Sequence, residues 1–382
     1  MRPQTTDQYS RCPAAVALTA TLLILSAWPL VGAVGPPLTD PVAAWPDRAW
    51  PRATPVEVGL DESKLLSAQE YARRGEGSGY IVRHGQLVMS WGNPRQRYDL
   101  KSSTKSFGSI ALGLALQDGK IRLEDKATRH HPALGTPPAS NTDTGWLDEI
   151  TILHLASQTA GFEKPGGYTP LLFQPGTQWD YSDSGPNWLA ECLTLAYRRD
   201  LDELMFERVF APLGITRADL TWRSNAYRPP TINGIVRREF GAGIHANVDA
   251  LARIGLLMLR EGRWDKRQIL SPDFVERARQ VPPGHERLPV LHPETYGAAS
   301  QHYGLLWWNN TDASLDGVPP DTYWSWGLYD SLIVIMPSLD IVVARAGRSL
   351  PRAKDAEHYD VLEPFLVPIA KSVTTAQHPA QK

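Results

Sequence analysis

Ser102 and Lys105, in the run Leu100-Lys101-Ser102-Ser103-Thr104-Lys105-Ser106-Phe107, form the only Ser-x-x-Lys in the chain. A serine three residues before a lysine, at the head of an apolar helix, puts both side chains on one face within one turn. A serine hydroxyl barely ionises at neutral pH, so it becomes a nucleophile only with a base in hydrogen-bond reach. A lysine is such a base when burial or a neighbouring cation keeps it neutral. The same four residues also suit an ordinary polar helix start, so their meaning rests on the rest of the chain.

Two further segments carry chemistry. In Pro175-Gly176-Thr177-Gln178-Trp179-Asp180-Tyr181-Ser182-Asp183, a tyrosine beside a Ser-Lys pair can share the proton path. As phenolate it accepts the serine proton, and as phenol it protonates a leaving group. In Trp324-Ser325-Trp326-Gly327-Leu328, a small residue and a glycine on an edge strand let a substrate lie alongside. They also let a backbone N–H point at a developing oxyanion. Taken singly, Tyr181 reads more readily as structural and the tryptophan-rich run as core packing.

The elements that must position these residues follow from periodicity and capping. Asp61 caps a helix over 61–74, with Leu65, Ala68 and Tyr71 on one face. Short β-prone runs at 80–82 and 86–91 flank His84-Gly85 as a hairpin, and a second hairpin joins 332–336 to 341–344. The Ser102 helix carries Ile110, Leu112, Leu114 and Leu116 and stops at Asp118-Gly119. Helices are expected from Thr151, over 187–198 and 201–209, from Asn247 to about 260, and over 359–373. Strands at both ends with helices between them imply an α+β fold. One antiparallel sheet is assembled from N- and C-terminal segments and flanked by helices, with a helical subdomain inserted between.

The chain has 382 residues, 42% of them hydrophobic and 21% charged, and a net charge of −2. That balance is ordinary for a globular protein and offers no electrostatic reason to expect a nucleic-acid partner. Cys12 and Cys192 are the two cysteines, and Cys192 reads as a small buried hydrophobe. Gly-x-Ser-x-Gly, His-Glu-x-x-His and Cys-x-x-Cys signatures are missing, and neither metal nor cofactor is expected. His130, His131 and His154 read as structural. Arg2 and Arg11 precede an apolar run over 14–34 that ends in Val31-Gly32-Ala33, the pattern of an export signal. We therefore expect 1–33 to be a signal peptide or N-terminal anchor and 34–54 a Pro-rich linker. A hydrolase domain is expected over 55–375, with a disordered tail over 376–382. The protein is then periplasmic or extracellular, with a membrane contact only if residues 14–34 stay uncleaved.

In this order the motifs resemble the serine β-lactamase and penicillin-recognising hydrolases, particularly the class C-like branch that includes many esterases. The segments Thr151-Ile152-Leu153-His154-Leu155-Ala156-Ser157-Gln158-Thr159-Ala160-Gly161, Ala211-Pro212-Leu213-Gly214-Ile215, Tyr303-Gly304-Leu305-Leu306-Trp307 and Pro337-Ser338-Leu339-Asp340 add to the likeness, which runs from about residue 55 to 369. The resemblance implies a β-lactamase/transpeptidase-like fold and an acyl-enzyme formed by Ser102, with Lys105 and Tyr181 as general base and acid. It places the oxyanion hole at the backbone N–H groups of Ser102 and Leu328. It puts Asp183, Ser325, Trp326, Gly327 and His245 against the substrate, a small ester or amide. Two departures stand out. Asp183 replaces the asparagine of the usual Tyr-x-Asn, and Ser325 stands where a lysine usually holds a substrate carboxylate. The second departure favours uncharged substrates, unless Arg345 or Arg348 supplies the cation. A class A-like register on Ser182, β-lactamase or D-alanyl peptidase activity, and an inactive ligand-binding relative remain open alternatives. The leader reading predicts a mature N-terminus near Val34, and N-terminal sequencing checks it. An intact Met1 on membrane-bound protein would indicate the anchor instead.

Overall fold

In a computed structural model of the chain, which describes residues 44–354 and 357–374, the late apolar runs form the middle of a six-stranded antiparallel sheet. The principal elements in chain order are α1 (Glu62–Arg74), β1 (Ser78–Arg83), β2 (Gln86–Trp91), α2 (Thr104–Gln117), α3 (Ile152–Ala156) and α4 (Ser184–Tyr197). They continue with α5 (Val248–Leu259), β3 (Trp308–Asn309), β4 (Tyr323–Gly327), β5 (Ser331–Met336), β6 (Ile341–Ala346) and α6 (Glu363–Lys371). The strand order is β3-β4-β5-β6-β1-β2, so the N-terminal hairpin pairs with the C-terminal strands through β1 and β6. Every residue of β5 and β6 is buried. Their runs are continuously apolar because both faces of the sheet are covered.

Helices supply the cover. Gly255 of α5 lies so close to Val342 that a Cβ would overlap it, and Ile333 would stand 3.0 Å away. On the opposite face α1 packs against α6, and Trp91 meets Phe365 edge-on at 6.3 Å. Asp61 caps α1 by accepting from the Ser63 N–H at 2.9 Å. Thr151 and His154 form a reciprocal capping box at α3. Helix α2 is buried from Thr104 to Ala115, so it is the central post between the sheet and the helical subdomain.

The structure departs from the sequence reading in three places. Residues 44–54 are not a free tether: Trp50 is buried and donates to Asp249 at 2.7 Å, and Trp45 packs on Trp264 at 5.3 Å. The prolines keep this strap extended, but its tryptophans tie it to the body. The last helix begins at Glu363, with Pro364 in its first turn, and the residues from Tyr359 to Leu362 form turns. A small sheet of Tyr98–Asp99, Ile244–Ala246 and Leu220–Trp222 was not foreseen, because strands this short carry no readable period. The leader, residues 34–43 and residues 375–382 lie outside the described residues. No helix among the described residues is long and apolar enough to cross a membrane.

Candidate active site

Ser102 sits in a tight turn, Lys101–Ser103, that leads directly into α2. Lys105, one turn later, is almost wholly buried, and its ammonium donates to Ser102 Oγ at 3.2 Å and to the Gly241 carbonyl at 3.3 Å. Its third partner is the Asp183 carboxylate. An ammonium has three N–H donors, and all three are used. Asp183 is the N-cap of α4 but caps no backbone N–H, which leaves Oδ1 for Lys105. The positive end of α4 favours a carboxylate at that position.

Tyr181 completes the cluster. Its side chain lines the cleft beside Ser102, and its ring centroid lies 4.6 Å from Lys105 Nζ. Burial, with Asp183 adding, pushes the phenol well above its ordinary value, which disfavours the phenolate further. Its ring stacks on Trp308 at 5.7 Å and packs on Tyr296 at 5.5 Å. Asn187 positions the surroundings. Its amide oxygen accepts from Phe240 and Gly241 N–H, both at 2.9 Å, and its NH₂ donates to the Gly166 carbonyl at 2.8 Å. It thereby fixes the carbonyl that holds Lys105 and the loop that carries Lys164.

Strand β4 brings the third segment alongside. A Cβ on Gly327 would overlap the Leu100 carbonyl and the Ser331 hydroxyl and would lie 2.9 Å from Ser103 N. Only glycine lets the strand pass this close to the Ser102 turn. Beyond it Tyr329 (φ 68°) and Asp330 (φ 55°) both adopt left-handed backbone. Asp330 is held there by hydrogen bonds from Trp326 Nε1 at 2.9 Å and Leu350 N at 2.8 Å, and by Arg352. The cleft over Ser102 has a volume of about 220 Å³. Tyr181, Trp326, Gly327 and Leu328 line it, with Tyr296, Trp308, Lys164, Arg352 and His358.

Several expectations are corrected. Ser325 does not face the cleft: it is fully buried, donates to Ser103 Oγ at 3.2 Å and accepts from Ile333 N at 2.9 Å. Strand alternation turns its side chain inward while Trp326 faces the cleft. Asp183 also does not line the cleft, because its carboxylate is taken up by Lys105, with Lys164 4.0 Å away. His245 stays outside as well, half exposed on the small sheet and 3.6 Å from Asp99. Arg345 is buried and donates to the Asp330 carbonyl at 2.9 Å and the Gly75 carbonyl at 2.8 Å, while Arg348 pairs with Glu76 at the surface. The cleft's cations are Lys164 and Arg352 instead. No motif signals either one, since both come from loops. His130 and His131 pair with Asp125 and Glu191, each at 2.9 Å. Among the described residues no group of three or more His, Cys, Asp or Glu is placed to hold a metal.

An antiparallel sheet built from both chain ends, with a Ser-Lys-Tyr cluster at its junction with a helical insert, defines the β-lactamase/transpeptidase-like class of fold. Residues 68–363 match the Beta-lactamase family model, and the chain belongs to that family. Solved structures agree in fold. A provisionally assigned β-lactamase from Bacteroides dorei superposes with a TM-score of 0.63 at 17% identity, covering 82% of this chain and 99% of that one. A novel penicillin-binding protein homologue from Caulobacter crescentus gives 0.61 at 15%, with 82% and 99% covered. A curated relative from Salmonella paratyphi A, whose inferred name is D-alanyl-D-alanine carboxypeptidase, is 22% identical over 229 residues. The match takes in 47% of this chain, and the chain spans about half, 52%, of that relative's length. Proteins of this fold family are serine hydrolases.

The Gly327 contact yields a test. Gly327→Ala must push the strand away from the Ser102 turn, and a displacement of about 1 Å at reacting groups costs roughly 10²-fold in rate. Fluorophosphonate labelling of Ser102 should slow by about that factor with an unchanged far-ultraviolet dichroism spectrum. Unaltered labelling would show that the turn and strand are not in register-critical contact.

Proposed function

We propose that this chain is a serine hydrolase acting through an acyl-enzyme on a small ester or amide. The observation that carries the reading is the 3.2 Å contact between Lys105 Nζ and Ser102 Oγ within the cleft. Ser102 Oγ attacks the substrate carbonyl, and the tetrahedral oxyanion is met by the backbone N–H groups of Ser102 and Leu328. Lys105 holds three acceptors as an ammonium, so it takes the Ser102 proton only by passing one of its own to Asp183. Asp183 is thus the proton sink of a serine–lysine–carboxylate relay. Tyr181, a phenol beside Ser102 in the cleft, protonates the leaving group and recovers its proton through Lys105. Water then cleaves the acyl–Ser102 ester.

A second reading is D-alanyl peptidase or β-lactamase activity, which Lys164 favours. It brings to the cleft an ammonium for a substrate carboxylate, the charge that Ser325 does not supply. The curated relative's name points the same way.

Ser102→Ala should abolish fluorophosphonate labelling and lower turnover by several orders of magnitude. Persistent labelling in that variant would overturn Ser102 as the nucleophile, and no labelling of the parent protein would favour an inactive ligand-binding relative. A panel of p-nitrophenyl esters, a chromogenic cephalosporin and D-amino-acid amides separates the two readings. The highest kcat/KM is expected for the esters, and a cephalosporin or D-alanyl amide ranking first moves the assignment to the second reading. The relay has its own test. Asp183→Asn should lower kcat by roughly 10²–10⁴, the range of a general acid–base group. A faster Asp183→Asn enzyme would show that the carboxylate restrains Lys105 rather than serving it.

A further inference from the structure

Away from Ser102, a second and larger pocket of about 310 Å³ opens between the N-terminal strap and the sheet, and it shares no lining residue with the catalytic cleft. Arg48, Arg52 and Arg95 line it. Arg48 and Arg52 flank Trp50, whose indole is anchored on Asp249 and packs edge-on against Tyr80 at 6.4 Å. Arg95 is held by a turn in which its N–H donates to Asn93 at 3.0 Å. None of the three guanidinium groups has an ion-pair or hydrogen-bond partner among the described residues.

The oxygens of the pocket's two acids are already engaged, and Asp249 is ion-paired with Arg253. Asp249 accepts from Trp50 Nε1 and from Arg253 Nε, each at 2.7 Å. Asp219 accepts from Thr216 Oγ1 at 2.6 Å, Thr216 N at 2.9 Å and Asn247 Nδ2 at 2.9 Å. The pocket therefore holds satisfied carboxylates and three unspent guanidiniums, each with five N–H donors in a fixed fork.

Tyr80 adds a neutral group beside the arginines. The residue lines the pocket, and its ring is fixed edge-on against Trp50, which sets where its hydroxyl stands. Burial, helped by Asp249, raises the Tyr80 phenol above its ordinary value, which keeps the hydroxyl a donor.

We infer that this pocket is a binding site for a small oxyanion-bearing molecule, a phosphate or carboxylate compound of sugar-phosphate size. The arginines grip the anionic group in charge-assisted hydrogen bonds, and Tyr80 reaches the body of the ligand from the floor. The site stands apart from hydrolysis at Ser102 and does not depend on it.

The test is calorimetric titration of the full chain with inorganic phosphate, glucose 6-phosphate, glucuronate and neutral glucose at fixed ionic strength. Saturable 1:1 binding is expected for glucose 6-phosphate or glucuronate, and none for glucose. The ranking of the two anions tells phosphate from carboxylate, and inorganic phosphate shows whether the anion alone suffices. The double variant Arg52→Gln/Arg95→Gln should weaken binding at least tenfold, and Tyr80→Phe severalfold. Hydrolysis at Ser102 should be unchanged in all of them. Binding should also survive fluorophosphonate treatment of Ser102. No saturable binding of either anionic sugar, unaltered affinity in the arginine double variant, or loss of binding on fluorophosphonate treatment would each overturn the inference.

Discussion

One buried ammonium ties the site together. Lys105 is shut off from water, and its three hydrogen bonds reach Ser102 on the turn before α2, Asp183 at the start of α4, and the Gly241 carbonyl. A buried charge is tolerated only when it is paired and its donors are filled, and removing one partner from such a pair typically costs about 3–5 kcal/mol. Three chain segments far apart in sequence are therefore held to one point by the same requirement. The nucleophile's position is a by-product of satisfying the lysine.

The rest of the molecule serves that constraint from outside. The fully covered sheet makes β4 and β5 a rigid wall, and Gly327 lets that wall come up against the Ser102 turn. Asn187 spends its amide on two backbone N–H groups and one carbonyl, which fixes the Gly241 carbonyl at the distance Lys105 needs. Tyr181 is clasped by Trp308 and Tyr296, so its phenol has little freedom to leave Ser102. Buried aromatic rings of this kind lend rigidity at small entropic cost, since each has only two side-chain torsions to fix.

Charge is distributed unevenly over the two pockets. In the catalytic cleft Arg352 is neutralised by Asp330 and Lys105 by Asp183, while Lys164 stands at the longer distance of 4.0 Å from Asp183. In the strap pocket the pattern is reversed, with carboxylates satisfied and arginines unspent. The two sites thus recognise different features by the same physics. A charge already paired contributes geometry, and an unpaired one contributes affinity.

Much of this was legible in the sequence because it depends on short-range spacing. The Ser102–Lys105 separation, the caps at Asp61, Thr151 and Asn247, the two hairpins and the apolar runs of β5 and β6 are local patterns. Local sterics and periodicity decide such patterns before any tertiary contact forms. Tyr181 and Gly327 were legible through the order of motifs along the chain. The tertiary structure alone decided which side of β4 faces the cleft, and so sent Ser325 inward and left its place to Trp326. It alone made Asp183 the partner of Lys105, and it brought Lys164 and Arg352 to the cleft from loops without pattern. Strap residues that read as a linker became the wall of a second pocket. These outcomes turn on burial and on contacts between segments tens to hundreds of residues apart. Neither quantity exists until the sheet has closed from both ends of the chain.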